Sequence, residues 1–199
     1  MKKELNVRAI SEIAIFAALG FALDMAQSGL LKGVFPNGGS IGIAMVVIFV
    51  MCYRRGFICG LLTGLIMGLT QMLGGIYMIS DAWYKAFAQV ALDYWLAYPV
   101  CAVAGLFKKM VDNNKSVSKK CTWIVVGCVL GGLAKYLCHY LSGILFWPAD
   151  LWNVGGANIY SILYNGAYMI PNIIICTLLM VLIIYKYPKF LVAEDLEVE

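Results

Sequence analysis

The chain has 199 residues, 62% hydrophobic and only 13% charged, with a formal net charge of +4. An ordinary soluble domain carries roughly 25% charged residues. A water-soluble fold cannot hide so much apolar surface and a bilayer can, so composition excludes a soluble domain. It points to an all-α, multi-pass membrane protein with one membrane domain over residues 1–199.

Six apolar segments are candidate transmembrane helices, at about 9–27, 41–53, 57–73, 86–107, 121–146 and 158–185. The first follows a basic start, "MKKELNVRAISEIAIFAALGFAL", with no A-x-A cleavage signal before the next loop. It is read as a retained helix rather than a signal peptide. It carries Ala14, Ala18 and Ala22 at intervals of four, a small-residue stripe that would let another helix approach closely. The stripe could equally pack inside the bundle. Glu12 and Asp24, near the ends of this helix, are read as interfacial. The second segment is short for a span. Arg54 and Arg55 separate it from the third. The fourth holds Asp93 inside "VALDYWLAYPV", and the fifth holds Lys135 and His139 inside "GGLAKYLCHYLSGILFW". The sixth begins with "NIYSILYNG", and an acidic tail, "AEDLEVE", ends the chain.

Charge sets the expected orientation. Lys2, Lys3, Arg8, Arg54, Arg55, Lys108, Lys109, Lys115, Lys119, Lys120, Lys186 and Lys189 fall on one side, twelve of the fifteen Lys and Arg residues. Lys32 and Lys85 fall on the other, and Lys135 lies within a span. The positive-inside rule then places both termini in the cytoplasm. The basic balance reflects topology rather than a nucleic-acid partner. Cysteines 52, 59, 101, 121, 128, 138 and 176 form no CxxC pair and mostly lie in apolar runs. They read as small buried hydrophobes, with no metal site and no cofactor.

With that orientation, Asp93 lies about 10 Å below the outer end of the fourth helix at 1.5 Å per residue. Lys135 and His139 lie one turn apart on one face, in the outer half of the fifth. Tyr160 and Asn165 open the sixth. An ionisable residue within a span usually faces a cavity or a partner. One reading is a structural Asp93–Lys135 ion pair. The other is a polar cavity open to the outside, with aromatic walls from Tyr94, Trp147, Tyr160, Tyr164 and Trp95. A carboxylate among aromatic faces suits a flat, cationic, nitrogen-rich ligand. Gly143, between His139 and Trp147, would leave room for such a ring.

These residues also resemble a known family. "LDYWLAYP", "KYLCHYLSGILFW", "NIYSILYNG", "FPNGGSIGIAM" and "YRRGFICGLLTGLIMG" are similar, in order and spacing, to the thiamine-specific S component of the energy-coupling factor (ECF) vitamin transporters. The resemblance implies a six-helix substrate-binding subunit without enzymatic activity. It implies a transmembrane coupling subunit and two ATPases as partners, and a cell membrane of a Gram-positive bacterium. It assigns thiamine binding to Asp93, Tyr94, Lys135, His139, Trp147, Tyr160, Asn165 and Tyr77. It gives the Ala14, Ala18 and Ala22 stripe to the coupling subunit. Some members have glutamate at the position of Asp93, and a tryptophan of their first outer loop has no match near Gly38. Absence of a GxxxxGK[ST] loop agrees with a chain that does not itself hydrolyse ATP. The alternatives are an S component for another vitamin, a stand-alone proton-coupled transporter using Asp93, Lys135 and His139, and an intramembrane enzyme.

Overall fold

Helices dominate the computed structural model, which describes residues 5–30, 34–35, 38–76, 78, 82–147 and 150–193. The helices are α1 (Val7–Leu30), α2 (Val46–Arg55), α3 (Phe57–Gln71), α4 (Trp83–Asp112), α5 (Val117–Phe146) and α6 (Ala157–Lys186). All except α2 are long and apolar enough to cross a membrane. At 1.5 Å per residue a 30-residue helix such as α6 is about 45 Å long, more than the roughly 30 Å of a hydrocarbon core. Their outward faces stay apolar: Ile170, Ile174, Leu178 and Leu182 of α6 are all exposed. In water such a stripe would drive aggregation, and in lipid it is the expected surface.

The second segment departs from expectation. Helix was expected from residue 41, but α2 begins at Val46 and has 10 residues, about half a membrane thickness. Its residues Val47–Tyr53 are buried in the core, where they meet Cys101, Ile124, Cys128 and Met180. Residues 38–45 run before it as irregular backbone. Within hydrocarbon such backbone survives only when its polar groups find partners in the protein or line a cavity. Two distant side chains supply them. Asn172 accepts from Gly42 N at 2.6 Å and donates to Ser40 O at 2.8 Å. Gln27 Oε1 accepts from Ile43 N at 2.9 Å. Gly39, at φ +97°, adopts a conformation that only glycine takes freely, and a Cβ there would strike the Tyr168 ring.

Helix α4 is not uniform either. It opens into a π-helical turn over Ala91–Leu96 and tightens to a 3₁₀ stretch over Pro99–Phe107. The Ala97 N–H donates to Leu92 O, five residues back, at 3.1 Å. Pro99 gives the reason: its ring lacks an N–H and crowds the carbonyl four residues earlier, so the preceding turn widens. Helix α3 accommodates the bulge with Gly64 and Gly68, where a Cβ would collide with the backbone of Tyr98 and Pro99 and with Tyr94 O. Since α4 starts at Trp83, three residues earlier than expected, Asp93 sits about 15 Å along it rather than 10 Å.

Six of the seven cysteines are buried, and all are free thiols. At the end of the bundle where α2 meets α3, Glu12 lies between two arginines. Arg54 Nε and Nη2 donate to it at 2.8 Å each, and Arg55 Nε at 2.6 Å. Arg54 also donates to Phe190 O and Val192 O, tying down the chain beyond α6. Glu12, expected at an interface, is the hub of a fixed ion-pair network.

Candidate functional site

The opposite end of the bundle, where α1 and α5 finish and α4 and α6 begin, encloses a cavity of about 390 Å³. That lies within the usual range for small-molecule sites, about 300–1,000 Å³. Asp93, Tyr94, Lys135, His139, Trp147, Tyr160 and Asn165 all line it. Tyr77 lies outside the described residues.

The π-helical turn places Asp93. Its two oxygens are held separately: Ser142 Oγ donates to Oδ2 at 2.6 Å, and His139 Nδ1 faces Oδ1 at 3.1 Å. A carboxylate has roughly four acceptor positions, so about two remain for a ligand. Ser142, only 2% exposed, follows His139 by three residues on the same face, and its bond to Asp93 is what the sequence did not show. Lys135 is not the ion partner of Asp93. Its ammonium lies 3.5 Å from the centroid of the Tyr98 ring, one turn deeper.

The wall on α6 is a ladder of tyrosines at spacing four. Tyr160, Tyr164 and Tyr168 are buried, with successive ring centroids 5.5 and 6.3 Å apart. Tyr164 OH donates to Gly38 O at 2.9 Å, fixing the start of the irregular segment. Asn165 is fully engaged: Nδ2 donates to Ser161 O at 2.9 Å, and Oδ1 accepts from Tyr168 OH at 2.6 Å. Its amide therefore holds Tyr168 against His139, whose ring centroid is 6.0 Å away. Trp147 ends α5 and lines the cavity. Gly143 lines the cavity, and Ser161 Oγ stands where a Cβ would lie. That glycine lets α5 and α6 approach closely.

Two aromatic expectations change. Trp95 does not line the cavity: its indole N–H points at Met72 Sδ, 3.2 Å away, and Phe87 packs on its ring. In the loop before α6, Trp152 covers the tyrosine ladder, with centroids 5.2 Å from Tyr160 and 5.7 Å from Tyr164. Asp150 shapes that loop by accepting from the backbone of Val154, Gly155 and Gly156 at 2.9, 3.1 and 2.6 Å. These donors hold its carboxyl below the usual carboxylate range.

Asp24 corrects the reading of α1. It is 7% exposed, lines the cavity and accepts from Tyr98 OH at 3.0 Å and from Gln27 Nε2. Its sequence signal equals that of Asp93, an acid within an apolar run, but proximity to the helix end disguised it. Ala14, Ala18 and Ala22 are all exposed, on the face of α1 turned away from Ile13 and Ala17.

Comparison with known proteins agrees over almost the whole chain. The family model described as thiamine transporter protein (Thia_YuaJ) matches residues 10–192. A relative called thiamine transporter ThiT, from Bacillus subtilis, is 32% identical, covering 92% of this chain and 93% of its own. A protein of the same name from Lacticaseibacillus paracasei is 25% identical, covering 98% and 96%. A solved structure of ThiT from Listeria monocytogenes superposes with a TM-score of 0.77 at 28% identity, covering 94% of this chain and 98% of that one. These relatives are named as transporters rather than enzymes, and the five membrane-length helices make this a multi-pass membrane protein. The chain belongs to the thiamine transporter protein (Thia_YuaJ) family.

Proposed function

We propose that the chain is the substrate-binding S component of an ECF transporter, capturing thiamine from outside the cell for ATP-driven uptake. The names of its relatives support the ligand. The observation that carries the reading is Asp93: a carboxylate set by a π-helical turn, held by His139 and Ser142, inside a cavity with aromatic walls.

The chemistry follows from that geometry. The aminopyrimidine of thiamine donates its amino hydrogens to the free acceptor positions of Asp93. The tyrosine ladder and Trp147 offer flat faces, and a tryptophan face attracts the fixed charge of the thiazolium. Tyr94, Tyr160 and Lys135 complete the walls, and Asn165 keeps the ladder in place. Tyr77 is assigned to the mouth by the family resemblance. Preformed hydrogen bonds around Asp93 reduce the ordering cost of binding, which favours high affinity.

Both termini face the cytoplasm in this reading, and the cavity opens outward, because Arg54, Arg55 and Lys108–Lys120 lie at the opposite end. The exposed Ala14, Ala18 and Ala22 stripe on α1 meets the transmembrane coupling subunit, and two ATPases supply the energy. Titration of the purified chain in detergent with thiamine, thiamine diphosphate, riboflavin and biotin tests the ligand. Thiamine should bind most tightly, without ATP. Preference for riboflavin or biotin would overturn it. Uptake into liposomes carrying the chain alone, with no coupling subunit or ATPases, would overturn the ECF assignment.

A further inference from the structure

The end of the bundle opposite the cavity carries an unbalanced charge. Between Lys108 and Lys120, where α4 turns into α5, the chain holds five lysines and one carboxylate, Asp112. That carboxylate is already engaged: Lys108 Nζ donates to Asp112 Oδ2 and to Tyr53 O, both at 2.8 Å. Lys109, Lys115 and Lys119 are exposed and Lys120 is half-buried. Among the described residues none of these four forms an ion pair. Other cations of this end are occupied. Arg54 and Arg55 are bound to Glu12, and Lys186 lies over the ring of Tyr185.

The surface beneath the lysines is apolar. Phe107 of α4 stacks on Trp123 of α5, with ring centroids 6.0 Å apart. Tryptophan concentrates where hydrocarbon meets headgroups. Leu106 of α4 and Val125 of α5, further in along each helix, are exposed. The hairpin thus has ammonium groups outermost, an aromatic pair below them and aliphatic side chains below that. A phospholipid of net negative charge matches the whole profile. Its phosphate accepts from the lysines, and its chains lie along the aliphatic surface. A zwitterionic headgroup brings its own cation against the lysines, and a soluble phosphate leaves the aliphatic surface unused. The hairpin also lies on the flank away from the α1 stripe, because α1 packs on α2 and α3, whereas α5 packs on α4 and α6. A subunit docked on the stripe would leave it facing lipid.

We propose that the α4–α5 hairpin is a binding surface for anionic phospholipid, with Lys109, Lys115, Lys119 and Lys120 taking the headgroup phosphate. This rests on the membrane character of the chain and is independent of the ligand in the cavity.

The test is mass spectrometry of the lipid that the purified chain retains from micelles holding phosphatidylglycerol and phosphatidylcholine in equal amounts. Wild type should prefer phosphatidylglycerol by on the order of tenfold or more at low salt. The preference should shrink towards unity in about 1 M NaCl, where charges are screened beyond roughly 3 Å. Joint replacement Lys115→Gln, Lys119→Gln and Lys120→Gln should remove most of the preference at low salt. Joint replacement Lys85→Gln, Lys186→Gln and Lys189→Gln removes as much charge elsewhere and should keep it. If the hairpin variant does not fold, Lys119→Gln alone and the salt dependence of wild type decide. Wild type retaining both lipids equally overturns the assignment. So does an equal fall in the two triple variants, which would make the preference a matter of net charge. Displacement of phosphatidylglycerol by inorganic phosphate at constant ionic strength would replace the lipid surface with a soluble-anion site and overturn it as well.

Discussion

Two acids lie in apolar helices at opposite ends of this bundle, and they have different surroundings. Glu12 is clasped by two arginines, whose donors approach at 2.6–3.1 Å. The same arginine cluster ties down the segment after α6. Asp93 is touched by one hydroxyl and one imidazole and otherwise faces open volume. Both residues look alike in sequence, as a carboxylate interrupting an apolar run. The distinction is how many acceptor positions the protein itself fills. A filled carboxylate is a fastener, and a half-filled one beside a cavity is a candidate for binding.

The sharpest way to break this comparison is to remove each acid. Asp93→Ala should weaken thiamine binding by about 2–5 kcal/mol, roughly 30-fold to several thousandfold, because the ligand loses a charged acceptor in a desolvated site. Asp93→Glu should cost far less. Glu12→Gln should leave affinity within about threefold, since it lies at the far end, but lower the melting temperature by leaving Arg55, 3% exposed, short of a counter-charge. If Glu12→Gln abolished binding at unchanged stability, the two clusters would not differ in kind.

Trp147 tests the aromatic side of the same pocket. Trp147→Ala should cost on the order of 1–2 kcal/mol from the lost cation–π contact alone, and Trp147→Phe should keep part of the affinity. Thiamine should quench Trp147 fluorescence. Wild-type affinity in Trp147→Ala, with quenching retained, would place the stacking partner elsewhere, for example on the tyrosine ladder.

Substitution of the α1 stripe separates binding from transport. Ala14→Trp or Ala18→Trp adds bulk on an exposed face, so thiamine binding by the isolated chain should be unchanged. Uptake by cells carrying the full set of subunits should fall. Equal loss of binding and uptake would show that the stripe supports the bundle itself.

The smallest effect concerns the Trp152 loop. The Asp150 carboxyl is held below its ordinary range by backbone donors, so its contribution to loop order is present above the unfolded value, about 3.9, and is lost as pH falls through the lower folded value. Trp152 emission should shift on acidification below about pH 4, and Asp150→Ala should show the acid-state spectrum at neutral pH. A spectrum in Asp150→Ala identical to wild type would mean that the Trp152 contacts with Tyr160 and Tyr164 hold the loop unaided.

The sequence by itself determined the membrane class and the five long helices, because hydropathy over about 20 residues is a local property. It also exposed Asp93, Lys135, His139, Tyr160 and Asn165, since a polar group in an apolar run stands out without knowledge of its neighbours. Tertiary structure decided everything that depends on a distant partner. The irregular segment at 38–45 exists because Asn172, 130 residues beyond Gly42, satisfies its backbone. The half-length α2 follows from that segment, and the π-helical turn that sets Asp93 needs glycines on α3 as well as Pro99 on its own helix. Asp24 reads as an interfacial residue near a helix end until folding brings it against Tyr98, whose ring lies under Lys135. Periodicity reports which face a residue occupies, whereas a cavity is defined by what several chain segments leave empty between them, and no single segment encodes that volume.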